Sequence, residues 1–171
     1  MQSPPSDGRS REERLEEMMA RYGDALIRMC CLYLRDASLA EDAAQDTFVK
    51  AWRHMDRFRG HCSERTWLMR IAINVCRDYY KTAWMRHIDR STSLDALPEQ
   101  GREDAHSPVL AAVTALKRRE KEAILLHYYQ GLSLKETAKA LGISESAVKQ
   151  RMQRANQHLK QELEEWYHDA F

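Results

Sequence analysis

The chain has 171 residues, 43% hydrophobic and 31% charged, with six glycines and four prolines, which suits a folded helical protein of one larger or two small domains and excludes a disordered one. No run of about eighteen apolar residues occurs, which excludes a membrane-spanning helix, and the charged N-terminal stretch lacks the apolar core of a secretory signal. The expected location is therefore the cytoplasm, with Cys30, Cys31, Cys62 and Cys76 as reduced thiols in structural or incidental roles.

The net charge of +1 hides an uneven distribution. Residues 1–56 carry eight bases and eleven acids, whereas residues 57–90 carry eight bases and three acids. Residues 131–160 carry six bases and two acids, and the last eleven residues carry four acids and no lysine or arginine. Two concentrated basic blocks are the pattern expected of phosphate contact.

In chain order, Leu15, Met18, Met19, Tyr22, Leu26, Cys30 and Tyr33 recur at helical spacing and predict a first amphipathic helix. Ser38 and Glu41 read as a capping box opening a second helix, whose Ala44, Phe48, Ala51, Trp52 and Met55 share a face and which Phe58-Arg59-Gly60 ends. After a polar loop from Gly60 to Arg65, a third helix has the apolar stripe Leu68, Ile71, Ala72, Val75 and Tyr79. Trp67, Arg70, Asn74, Asp78 and Lys81 fall in a separate arc that can be exposed as one surface. Residues 91–107, with Pro98, Gly101 and no sustained period, read as a flexible linker between domains at 11–90 and 108–167.

The second domain begins with Ser107 as helix cap and Pro108 at the first helical position. Its helices are predicted from Pro108 to Leu116, Lys117 to Gln130, Leu134 to Leu141 and Glu145 to about Tyr167. Ser133 with Glu136 forms a capping box, and Ser144 caps the last helix. The fold class is all-α, without strand pattern or internal repeat.

The segment GLSLKETAKALGISESAVKQRMQRANQHLK has the grammar of a helix-turn-helix: a capped short helix, a glycine turn, and a longer basic helix. Ala138 and Leu141 would pack on Val148, Met152 and Leu159. That leaves Glu145, Ser146, Lys149, Gln150, Gln153 and Arg154 outward, where glutamine can pair with adenine and lysine or arginine with guanine or phosphate. An ordinary helical hairpin with a basic solvent face is the competing reading.

Three stretches, AEDAAQDTFVKAWRHMDRFRG, TWLMRIAINVCRDYY and GLSLKETAKALGISESAVKQR, occur in that order. Together they resemble the bacterial sigma factor family, in particular its extracytoplasmic-function (ECF) group, over about residues 15–165. The resemblance implies a transcription initiation subunit, not an enzyme and without cofactor or metal, whose partners are the clamp helices and flap of core RNA polymerase, promoter DNA and an anti-sigma factor. Glu41, Asp42, Gln45, Asp46 and Lys50 would then dock on polymerase. Arg59, His61, Ser63, Arg65, Trp67, Arg70, Asn74 and Arg77 would read the minus-ten element as the strands part. A flipped base would sit in the Gly60 to Arg65 loop near Asn74, with Asp78 orienting a nearby arginine or capping the loop. Ser146, Lys149, Gln150, Gln153 and Arg154 would read the minus-thirty-five element. Lys117, Thr137 and Gln150 depart from the proline, isoleucine and serine usual in the family.

Two other readings compete. Glu103-x-x-His106 and Glu165-x-x-His168 have the spacing of di-iron bundle ligands but lie in polar segments, and His61-Cys62 offers too few ligands for zinc. A two-domain regulator that binds duplex DNA without replacing the sigma subunit would share the second domain and leave the first unexplained.

Overall fold

The computed structural model describes residues 8–85 and 107–170, and these contain helices and turns without a strand. The predicted linker lies almost wholly outside the described residues.

Helix α1 (Arg11–Leu34) starts at Ser10, whose hydroxyl accepts from the Glu13 amide while the Glu13 carboxylate accepts from the Ser10 amide. This capping box starts the helix four residues before the apolar stripe does. Arg35 takes a left-handed conformation (φ 58°) and returns its N–H to Cys31 O, closing α1 sharply. Helix α2 (Ala37–His54) is therefore capped by Asp36, whose carboxylate accepts from Leu39 N, and not by the Ser38 and Glu41 pair. The tight left-handed turn places Asp36 at the cap position before Ser38 can reach it.

After α2, a 3-10 turn (Met55–Arg57) leads to Gly60 (φ 70°) and then to α3 (Glu64–Met85). Ser63 caps α3 by accepting from Thr66 N. Along α3, Leu68, Met69, Ala72, Ile73, Val75 and Cys76 are buried, while Ile71 and Tyr79, placed in the stripe from sequence, are only partly covered. The core of α1–α3 is thus centred about one residue away from the predicted stripe. Within it the Cys30 and Cys76 sulfurs lie 3.5 Å apart, and burial pushes the Cys31 thiol up to about 11, so these thiols are inert packing groups.

The second domain comprises α4 (Pro108–Ala115), α5 (Arg118–Ile124), a π-helical turn (Leu125–Tyr129), α6 (Leu134–Leu141) and α7 (Glu145–Ala170). Pro108 stands in the first turn of α4 as expected, but the Ser107 side chain makes no cap hydrogen bond. The helix expected to run unbroken to Gln130 widens instead, with Gln130 N bonded to Leu125 O and Leu132 N to Leu126 O. Ser133 and Glu136 form the predicted capping box, Gly142 (φ 68°) closes α6, and Ser144 accepts from Ala147 N at the start of α7.

The domains are not separate bodies in this structure. Buried residues from Met18 to Ala155 form one continuous apolar cluster, with α3 packed on α6 and α1 on α4 and α5. The N-terminal end of α3 and the helix-turn-helix therefore face each other directly.

Candidate nucleic-acid interface

In the helix-turn-helix, Ala138, Leu141, Val148 and Met152 are buried, Leu159 is partly covered, and Ala155 joins the seam. The geometry leaves Glu145, Ser146, Lys149, Gln150, Gln153 and Arg154 exposed on the first three turns of α7. Gln150 and Arg154 also line a groove with Lys117, Arg118, Arg119 and His158, the last paired with Glu120, so the exposed face of α7 continues into a mainly basic wall. Such a wall suits a phosphate backbone lying beside base edges.

Around the start of α3, Arg59, His61, Arg70 and Asn74 are exposed. Trp67 is half-buried and stacks at a tilt on Phe58, centroids 5.1 Å apart, so only part of its ring faces outward. The remaining residues of the predicted minus-ten set are engaged elsewhere. Ser63 caps α3 and donates to Glu136 Oε1 (3.3 Å), and Arg65 lies part-buried against Gly131 of the second domain. Arg77 donates from Nε and Nη2 to the two oxygens of Glu122 (2.9 and 2.8 Å) and from Nη1 to Asn74 Oδ1 (3.2 Å). The Glu122 carboxylate keeps the Arg77 guanidinium more firmly protonated than usual. Asp78 does not orient an arginine: it is exposed and pairs with Lys50 Nζ at 3.8 Å.

On α2, Glu41, Asp42, Gln45 and Asp46 are exposed on one face, with Lys50 at its end. Tyr79 OH donates to Asp46 (2.7 Å), and desolvation together with that carboxylate pushes the phenol up to about 12. Next to this face runs an apolar trough lined by Leu15, Met19, Phe48, Val49 and Trp52. Met19 and Val49 are 49% and 45% exposed. Sequence periodicity assigned Met19 to the core and passed over Val49, although a valine on the acidic face was the available signal. Trp52 is held at the rim by Arg11, whose guanidinium lies 4.6 Å from the ring centroid.

Of the metal alternatives, Glu103 and His106 lie outside the described residues, and Glu165 and His168 are exposed. Among the described residues no cluster of three ligating side chains occurs. No described helix is long and apolar enough to cross a membrane.

Residues 18–98 match the Sigma-70 region 2 family and residues 106–159 match Sigma-70, region 4. The RNA polymerase sigma factor NccH of Alcaligenes xylosoxydans xylosoxydans is 31% identical over 154 residues, covering 84% of this chain and 83% of that protein. The ECF RNA polymerase sigma factor SigL of Mycobacterium tuberculosis is 32% identical over 137 residues, covering 76% and 77%. This chain is an ECF sigma factor. Among solved structures, CnrH in complex with the cytosolic domain of CnrY superposes on it with a TM-score of 0.70 at 29% identity, over 90% of this chain and 89% of that one. As a member of this family the sigma factor directs core RNA polymerase to promoters and supports transcription initiation.

Proposed function

We propose that the sigma factor divides promoter recognition between the two surfaces described above. Arg59, His61, Ser63, Arg65, Trp67, Arg70, Asn74 and Arg77 read the minus-ten element as single strand, and Ser146, Lys149, Gln150, Gln153 and Arg154 read the minus-thirty-five duplex. The observation that carries this reading is that Arg59, Arg70 and Asn74 are exposed, and Trp67 half-exposed, on the loop before α3 and the N-terminal half of that helix. Cations can follow a backbone there while an amide and an indole edge receive an unstacked base. Glu41, Asp42, Gln45, Asp46 and Lys50, with the apolar trough beside them, form the surface that docks core polymerase, an acid-rimmed apolar patch of the kind that marks a protein interface. The chain acts without catalysis of its own and works in the cytoplasm, with domains at 11–90 and 108–167. By likeness to CnrH, which is seen with a protein partner, we infer an anti-sigma factor as a further partner.

Run-off transcription from a genomic fragment library, with bacterial core polymerase with and without the purified protein, tests the reading. New promoter-specific transcripts are expected, and Asn74→Ala or Lys149→Ala should reduce them at least about tenfold, the scale of one lost base contact. Tight operator binding by the protein alone, with no new transcript, would favour a regulator that leaves the resident sigma subunit in place.

A further inference from the structure

Tyr80 of α3, the start of α5 and the middle of α7 line a groove of about 700 Å³, the size of a small-molecule site. Lys117, Arg118, Arg119 and Arg154 line it, are exposed, and have no carboxylate partner among the described residues. Among the described lining residues the one acid, Glu120, is buried and already bonded to His158 (2.8 Å). Arg151 is recessed, its side chain 18% exposed, 3.7 Å from the Glu122 carboxylate and with Nη1 lacking a hydrogen bond. Burial outweighs that carboxylate and, with Arg119 and Arg77 close by, holds the Arg151 guanidinium below its usual range, so the groove is short of negative charge. Tyr80 supplies an aromatic wall, edge-on to Tyr33 with centroids 6.3 Å apart, and the Arg118 guanidinium lies 6.0 Å from its ring centroid.

We propose that this groove binds a nucleoside polyphosphate, its phosphates on Arg118, Arg119 and Arg154 and its base against Tyr80. Guanidinium groups take phosphate oxygens two at a time, and several around one concavity match a chain of linked phosphates better than a single small anion. An aromatic ring beside an arginine is a stacking surface for a base. Duplex DNA suits the exposed residues along α7, whereas the recessed Arg151 and part-buried Tyr80 suit a ligand small enough to enter the groove. Gln150 and Arg154 belong to both surfaces, so ligand and duplex compete for them. The competition rests on the assignment of that α7 face to duplex DNA; the site itself does not.

The test is isothermal titration calorimetry of the full chain at physiological salt, with GTP, ATP and inorganic tripolyphosphate as separate titrants. A nucleotide should bind one to one with a Kd of about 0.1 mM or tighter. Tripolyphosphate, which has no base to stack, should bind at least about fivefold more weakly. Arg118→Ala combined with Arg119→Ala, both at exposed positions, should weaken nucleotide binding at least about tenfold. Tyr80→Leu should reduce it to the tripolyphosphate level. Lys160→Ala removes an exposed lysine outside the groove and should change nothing. Circular dichroism melting checks that each variant is folded, and the exposed arginine pair decides the matter if Tyr80→Leu is not. No heat with either nucleotide up to about 5 mM overturns the site. So does an equal loss in Lys160→Ala, because net charge then accounts for binding. Tripolyphosphate as tight as the nucleotides overturns the nucleoside as ligand. In fluorescence anisotropy, the nucleotide should also release a labelled duplex of about 30 base pairs from the wild-type chain at fixed ionic strength. Calorimetric binding without that release upholds the site and instead removes Gln150 and Arg154 from the duplex contact.

Discussion

Among the described residues, Glu122 gathers partners from both domains. Its carboxylate lies in the interior, meets Arg77 and Tyr33 from one domain, and has Arg151 of its own domain at 3.7 Å. Burial, with Glu122 beside it, pushes the Tyr33 phenol far up, so Tyr33 stays protonated and serves only as a donor. Removing one member of such a cluster strands the others, and Glu122→Ala should lower stability by about 3 kcal/mol in urea unfolding. Thr137 presents the opposite case. It is fully buried and its hydroxyl has no hydrogen-bond partner, at a position where the family usually has isoleucine. Thr137→Val keeps the shape and deletes the unsatisfied group, so it should raise stability by about 1 kcal/mol. At Glu136, hydrogen bonds from the Ser133 amide and hydroxyl hold the carboxyl below the ordinary range. Because the folded-state value is depressed, the stabilisation is present above the ordinary glutamate value of about 4.3 and fades as pH falls through the folded value. Glu136→Gln should therefore flatten the acid limb of a stability profile measured between neutral pH and pH 3.

Caps and turns decide where the helices begin and end, and hence which face each one presents. Gly142 closes α6 in a left-handed conformation and Ser144 opens α7 two residues later, so these positions set the crossing that aims Lys149 and Gln150 outward. A side chain at Gly142 meets no neighbour but forces an unfavourable φ, and Gly142→Ala should cost about 1 kcal/mol, seen as a melting temperature a few degrees lower. Ser144→Ala should cost a similar amount through loss of the cap to Ala147. The π-helical turn after α5 has a different role. It brings Gln130, 1% exposed, to the Ala25 carbonyl, a contact between the domains that an unwidened helix would direct elsewhere.

At the scale of the molecule the two domains share one apolar cluster, with α3 packed on α6. Core polymerase adds contacts of its own to the DNA, so the sigma factor alone forgoes the gain from engaging linked sites at once. On a promoter found by run-off transcription, the protein alone should bind at least about tenfold more weakly than it does with core polymerase, measured by filter binding at one fixed salt concentration.

Much of this was legible in the chain itself. The all-helical class, the helix-turn-helix with its Ser133 and Ser144 caps, the acidic face of α2 and the exposed arc of Arg70, Asn74 and Asp78 follow from local periodicity and capping chemistry. The cap of α2 was misplaced because a left-handed Arg35 is not visible in composition. The π-helical turn was missed because Leu125–Tyr129 has the same apolar pattern as a regular helix. What tertiary packing alone decided concerns groups far apart in sequence. Arg77 and Glu122 are 45 residues apart, and Ser63 and Glu136 are 73. Each reads from sequence as a solvated charge or a loop hydroxyl, because helical spacing relates neighbours within a few turns and carries no information about which domain closes on which. Sequence periodicity chose the helices and their outward faces; long-range burial and charge pairing chose how the two domains pack on each other.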